Sequence, residues 1–239
     1  LGFAGTMGDV GLVSFGPSKH ITTGGAAVLH RSTALAAGTR DQLDRMRITK
    51  PQKAEKVEGY FRRRFDWARE ALMKNEDASQ GFVGLLAGYD KTFCQPLDIE
   101  AVGALEAELE DYPERAQIRL ANARQWSEEL DHDRLEKLNY RDQDVPWRYA
   151  CRLVGASWRD QQVLARKIRK AGIDTSNWYL PAHWYFPKHE PLPGAESFSR
   201  EVFQFWVEPG IDGAAISANA VRINQILMTL AEHSPFGAD

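Results

Sequence analysis

A lysine that follows a short apolar segment is the residue of this sequence best suited to covalent chemistry. Residues 9–15 are mostly apolar and partly β-branched, which is typical of a short buried strand. Gly16-Pro17-Ser18 ends that strand, and Lys19 follows at once. A lysine amine held by a tight turn can condense with an aldehyde to form a Schiff base, and it can then carry a proton.

Hydroxyl groups and glycines around Lys19 suit a phosphate-bearing ligand. Ser14 and Ser18 are candidate donors to a phosphate oxygen, and Gly24 and Gly25 let the backbone approach a ligand closely. Spacing alone nevertheless favours an ordinary exposed lysine in a strand–turn–strand unit, because most lysines lie at the surface. The loop of nucleotide-binding proteins is excluded, because it needs glycine directly before the lysine and serine or threonine directly after it.

The first part of the sequence predicts a strand pair followed by helices. A returning strand is predicted over residues 26–30. Apolar residues at helical spacing predict an amphipathic helix over residues 53–75 and a longer helical stretch over residues 97–130. Pro113 predicts a kink or a break in that stretch near Asp111-Tyr112.

The last third of the sequence predicts a compact α/β unit. Its predicted elements are a strand over residues 147–154, a helix over 159–171 closed by Gly172, a second strand or extended segment over 178–186, a short helix over 195–203, a strand over 204–207 and a final helix over 217–231.

Composition excludes several classes of partner. The 239 residues carry a formal net charge of -3, so no overall field attracts nucleic acid or an anionic membrane. No apolar run has the length needed to span a bilayer. Cys94 and Cys151 suggest no disulfide framework, so a reducing, cytoplasmic location is expected. The histidines show no spacing expected of a metal site, so no metal is expected.

The first residue is Leu1, which suggests that the chain is the middle and end of a longer protein.

Residues 8–19, Gly-Asp-Val-Gly-Leu-Val-Ser-Phe-Gly-Pro-Ser-Lys, resemble the cofactor-lysine motif of the DegT/StrS-type nucleotide-sugar aminotransferases. These are fold-type I pyridoxal 5'-phosphate (PLP) enzymes. The resemblance implies that Lys19 is the Schiff-base lysine and that Ser14 contacts the cofactor phosphate. Thr22-Thr23 and the following glycines also agree with the motif, but Gly25 stands where the family usually has an acidic residue.

The resemblance is weaker elsewhere. Residues 114–126 are similar to a long helix of the family, and Pro181-Ala182-His183 is similar to its Pro-x-His segment. The family binds the cofactor phosphate with an asparagine from a neighbouring subunit, in a Gly-aromatic-Asn segment. The matching stretch here is Gly88-Tyr89-Asp90, and a carboxylate would repel a phosphate, so no phosphate role is carried over to Asp90. The acidic partner of the pyridinium nitrogen would precede Leu1, so an incomplete site is expected.

The resemblance implies an α/β fold: part of a fold-type I PLP-transferase large domain plus a small α/β C-terminal domain. The expected parts are residues 1–31 with the lysine, a helical insertion over 32–95, long linking helices over 96–145, and the small domain over 146–239. The implied function is PLP-dependent transfer of an amino group from an amino acid such as glutamate to a keto sugar, nucleotide-linked, in a homodimer.

Two alternatives stay open. Sugar dehydratases of the same cofactor class replace the lysine with histidine, so Lys19 argues against them. A non-catalytic scaffold or regulatory relative of the same fold is the alternative from another class.

Further residues are candidates for a function or for an ordinary structural role. His183 is expected within an aromatic core rather than facing a substrate, and His20 need not point the same way as Lys19. Arg62-Arg63-Arg64 is expected on the solvated side of a helix or against an anionic sugar nucleotide. Arg148 and Arg152 are candidate binders of a carboxylate or a diphosphate.

Overall fold

The computed structural model describes most of the chain outside its middle. The described residues are 5–16, 19–45, 58–60, 62–64, 66–67, 70, 99–177, 179–186 and 190–233. None of the described helices is long and apolar enough to cross a membrane. The chain divides into two compact units, Leu1–Gly59 with Leu86–Pro113, and Tyr60–Leu85 with Glu114–Asp239. The four-part domain division stays a prediction.

The first unit is built around a hairpin that ends beside Lys19. Strands β1 (Val10–Ser14) and β2 (Ala26–His30) pair antiparallel, with Ser14 opposite Ala26. Helix α1 (Thr33–Arg45) follows and has no buried residue. The strand pair was predicted, and both strands are found where the apolar runs indicated them.

The prediction that β1 is buried is wrong for the described structure. Val10 is 51% exposed and Leu12 is 69% exposed. Within the described residues β1 pairs with β2 alone, and alternate residues of the strand point to solvent. Phe15, directly after β1, is buried and anchors the end of the hairpin.

Helix α2 (Ile99–Glu110) and helix α3 (Tyr112–Glu129) are separated at Asp111. The break lies where Pro113 predicted it. Proline is tolerated in the first turn of α3 because its missing N–H has no partner there in any case.

A three-stranded antiparallel sheet forms the centre of the second unit. Strand β4 (Tyr149–Leu153) lies between β3 (Leu135–Lys137) and β5 (Val202–Phe205). Tyr149, Cys151 and Leu153 alternate into the core, as the period of a strand requires. The strand predicted over residues 147–154 is confirmed; β3 was not predicted.

Helices complete the second unit. In α4 (Trp158–Lys170) the Ser157 hydroxyl accepts a hydrogen bond from the Asp160 backbone N–H, and the Asp160 carboxylate accepts one from the Ser157 N–H. Gly172 follows with φ of 80°, which ends the helix in the left-handed region. Helix α6 (Gly213–His233) begins after Asp212, whose carboxylate accepts from the Ala215 N–H. Both helices were predicted.

The segment predicted as a strand or extended segment over residues 178–186 contains a helical turn in the structure. Residues Ala182–Tyr185 form a 3₁₀ helix, in which the Trp184 N–H donates to the Pro181 carbonyl at 3.0 Å. Of its aromatic residues, Trp184 is buried and packs against Trp158 and Leu180. Helix α5 (Pro193–Glu201) begins two residues earlier than predicted, because Pro193 starts the helix. Strand β5 follows directly and also begins two residues earlier than predicted. Most of the helix predicted over residues 53–75 lies outside the described residues, as does Asp90.

Candidate active site

Lys19 lies on a turn that the backbone closes at both ends. The Phe15 N–H donates to the Gly25 carbonyl at 3.0 Å, and the Gly24 N–H donates to the Phe15 carbonyl at 2.8 Å. Inside this loop the Lys19 N–H donates to the Gly16 carbonyl at 3.2 Å. The side chain of Lys19 is exposed. The backbone of the predicted Schiff-base lysine is therefore held by hydrogen bonds, and the residue as a whole is exposed.

Glycine is required where the turn returns to β2. Gly24 and Gly25 have φ angles of 91° and 75°, in the left-handed region that residues with a Cβ rarely adopt. A Cβ at Gly24 would meet no neighbouring atom, so the requirement there comes from the backbone alone. The two glycines thus shape the loop that carries Lys19.

Ser14 is a hydroxyl residue at the start of the same turn, on which Thr22 and Thr23 also lie. Its Oγ accepts a hydrogen bond from the Gly16 N–H at 3.4 Å, and its side chain is exposed at the end of β1. Because the oxygen acts as acceptor in this bond, the hydroxyl proton remains a donor for a ligand oxygen. Ser18, the other candidate, lies outside the described residues.

His20, the neighbour of Lys19, is held by the start of α3. The Tyr112 hydroxyl lies 3.0 Å from Nδ1 of His20, and the two rings are tilted at 50° with centroids 5.9 Å apart. Tyr112 was not predicted as a neighbour of His20, because no spacing signal connects residues so distant in the chain. This contact fixes the histidine ring next to the lysine.

The groups on this turn fit a ligand with an aldehyde and a phosphate. Lys19 supplies an amine for the aldehyde, and Ser14 supplies a hydroxyl that can donate to a phosphate oxygen. Both are exposed, so neither must be uncovered before a ligand binds. These two residues would hold PLP.

In the second unit the Arg152 guanidinium forms hydrogen bonds with two carboxylates of the same unit. It donates to the buried Glu201 through Nε at 3.1 Å and to Glu136 through Nη1 at 2.8 Å. Burial alone would raise the pKa of Glu201, but hydrogen bonds from the Gly155 N–H, Arg152 and Ser197 hold that pKa below its ordinary value. Arg152 therefore ties β4 to its neighbours and is not the anion binder that the sequence analysis considered.

His183 is buried, as the sequence analysis expected. Its Nε2 lies 2.9 Å from Oε1 of Glu196, and its ring meets Trp184 edge-on. The hydrogen bond from His183 holds the pKa of the Glu196 carboxyl below its ordinary value. This pair links the 3₁₀ helix to α5.

Comparison with solved structures gives the class of the fold. No protein-family model and no curated protein sequence matches the chain. The α/β fold is shared with sugar aminotransferases of the DegT/DnrJ/EryC1/StrS type, as the sequence resemblance predicted.

Three such structures show the extent of the match. The aminotransferase TlmJ of Streptoalloteichus hindustanus is 18% identical with a TM-score of 0.68, covering 95% of this chain and 54% of TlmJ. A DegT DnrJ EryC1 StrS aminotransferase of Brucella abortus is 17% identical with a TM-score of 0.61, covering 92% and 52%. DesI, solved with its TDP-sugar product, is 17% identical with a TM-score of 0.61, covering 96% and 53%. The chain spans about half the length of the structures it matches.

Proposed function

We propose that the protein transfers an amino group from an amino acid such as glutamate to a keto sugar, with PLP as cofactor. The observation that carries the proposal is the position of Lys19 on a closed, solvent-accessible turn. This turn belongs to a chain that has the aminotransferase fold. A nucleotide-linked sugar is the proposed acceptor, and the TDP-sugar product of DesI supports that choice.

Each residue on the turn has a proposed task. Lys19 would bind the cofactor aldehyde through Nζ, release it to the amine of the donor, and then carry a proton through the same nitrogen. Ser14 would donate a hydrogen bond to the cofactor phosphate. When bound, PLP supplies an electron sink that stabilises negative charge at the α-carbon of the donor. His20, held by Tyr112, would keep its ring fixed beside the lysine.

The proposal includes a homodimer in the cytoplasm, because fold-type I sites form between two subunits and the resemblance extends to that family. A non-catalytic relative of the same fold is the alternative, and it is favoured by Asp90, which stands where the family has a phosphate-binding asparagine. The two proposals differ in whether Lys19 reacts with the cofactor.

A cofactor titration separates the two proposals. PLP added to the protein at its full natural length should produce a visible absorbance band that saturates. Lys19→Ala should abolish the band, whereas Lys167→Ala, which removes an exposed lysine of α4, should leave it unchanged. A band of equal strength in Lys19→Ala, or no saturable band in the wild type, contradicts the enzyme proposal.

A further inference from the structure

Arg148 lies between two tryptophan rings at one end of the three-stranded sheet. Its guanidinium carbon is 4.4 Å from the ring centroid of Trp147 and 3.7 Å from that of Trp206. The sheet register explains the arrangement, because Tyr149 pairs with Phe205 and the arginine and Trp206 each lie one residue beyond that pair. Stacking of a guanidinium on an indole is favourable and restricts its rotation.

Side chains of helix α3 hold the backbone of the segments that carry Arg148 and the two tryptophans. Arg119, which is 3% exposed, donates to the Trp147 carbonyl at 3.1 Å. The Trp126 Nε1–H donates to the Trp206 carbonyl at 3.0 Å, and Asn122 donates to the Val207 carbonyl at 3.2 Å. The backbone on both sides of the guanidinium is thus fixed by side chains of one helix, so the site exists before any ligand binds.

Among the described residues Arg148 makes no ion pair and no side-chain hydrogen bond. Its Nε is buried without a partner, so the donors that a ligand can reach are the terminal nitrogens. Arg152, on strand β4 that begins directly after Arg148, has two carboxylate partners instead. Burying guanidinium nitrogens without a hydrogen bond or a close ion pair costs free energy, and an anionic ligand that accepts hydrogen bonds from them would offset that cost.

The surrounding charges select the kind of anion. The carboxylates of Asp174 and Glu208 interact electrostatically with Arg148, although neither forms an ion pair with it. One oxygen of Glu208 lies 3.9 Å from Arg119, and the other accepts from the Val207 N–H. These carboxylates repel a phosphate with several charges more strongly than a carboxylate group with one charge, and a carboxylate group matches one planar guanidinium.

We propose that Arg148, flanked by Trp147 and Trp206, binds the carboxylate group of a small ligand. The site lies wholly in the second unit, and it does not depend on Lys19 or on the proposed amino transfer. Carboxylate binding at Arg148 can therefore be tested separately from PLP binding at Lys19.

Calorimetric titration of the protein without cofactor tests the site, with glutarate and acetate as carboxylate probes and inorganic pyrophosphate as the phosphate probe. Glutarate and acetate should bind saturably, and Arg148→Gln should weaken that binding about tenfold or more. Arg148→Lys keeps the charge but loses the planar fork, so its binding should be intermediate. Arg166→Gln, which removes an exposed arginine of α4, is the matched control and should bind as the wild type does.

A second measurement on the wild type keeps the test valid if Arg148→Gln does not fold. Glutarate should slow modification of Arg148 by phenylglyoxal, mapped by peptide mass spectrometry, and leave Arg166 unprotected. Binding of pyrophosphate alone contradicts the choice of a carboxylate. Carboxylate binding unchanged in Arg148→Gln, or no saturable binding and no protection, shows that the stacked arginine is a structural contact only and overturns the proposal.

Discussion

The hydroxyl of Tyr112 lies 3.0 Å from Nδ1 of His20, although the two residues are 92 positions apart in the chain. The contact connects the start of α3 to the turn that carries Lys19. Both residues belong to the first compact unit. The strength of this single contact can be measured.

A double-mutant cycle should show that the two side chains are coupled. Tyr112→Phe should lower the free energy of unfolding by about 0.5–1.5 kcal/mol, because a hydrogen bond between side chains is lost. The same substitution in a His20→Ala background should cost less, since the partner is already absent. Denaturant unfolding of the four proteins measures the cycle, and strictly additive losses would contradict the contact.

Alanine at Gly24 should strain the turn. The φ of 91° disfavours any residue with a Cβ, so Gly24→Ala should lower the free energy of unfolding by about 1–2 kcal/mol. Gly38→Ala is the matched control, because Gly38 lies in α1 with open space around its Cα. That change should be neutral or stabilise by up to about 1 kcal/mol. Thermal unfolding compares the two, and equal effects would argue against the left-handed turn.

Glu201 should make stability depend on pH. Its pKa is lowered in the folded state, so its contribution is fully present above the unfolded carboxyl pKa of about 4.3 and is lost as the pH falls through the lower folded value. Glu201→Gln should cost about 2 kcal/mol at neutral pH, because the Arg152 pair and the bond from the Gly155 N–H are weakened.

The difference in unfolding free energy between wild type and Glu201→Gln should shrink as the pH is lowered below about 4. Denaturant unfolding at several pH values measures it. Glu190→Gln, at an exposed position, serves as the control and should show no such trend. A difference that stays constant down to acidic pH would contradict the lowered pKa of Glu201.

Cys151 should be unreactive in the folded protein. Burial raises the pKa of its thiol to about 12, and its side chain lies in the core of the second unit. Alkylation by iodoacetamide at neutral pH should therefore be at least about a hundredfold slower than in denaturant. Mass spectrometry of the peptide that contains Cys151 measures the rate. Similar rates in both conditions would show that the core is open.

Local signals predicted a large part of this fold. The apolar runs of β1 and β2, the break before Pro113 and the helix closed by Gly172 all depend on residues adjacent in sequence. The 3₁₀ helix at Ala182–Tyr185 was predicted as a strand or extended segment, because aromatic residues favour strands and the Pro181 carbonyl that caps the turn gives no periodic signal.

The candidate sites were predictable only in part. Lys19 and Ser14 are close in sequence, so a motif could identify them. Contacts such as Tyr112 with His20, or Arg148 with Trp206, join residues that the fold alone brings together. The sequence offers no signal that distinguishes Arg148 from Arg152. In the structure Arg148 lies against indole rings, whereas Arg152 binds carboxylates. Only the sheet register and the packing distinguish them.

The proposed function depends above all on Lys19 as the lysine that would bind PLP. Reduction with borohydride after incubation with PLP attaches the cofactor permanently to the lysine that holds it, and peptide mass spectrometry then identifies the site. We expect near-complete modification at Lys19, with exposed lysines such as Lys167 and Lys170 modified only slightly. Modification spread evenly over exposed lysines, or concentrated at a residue other than Lys19, would contradict it.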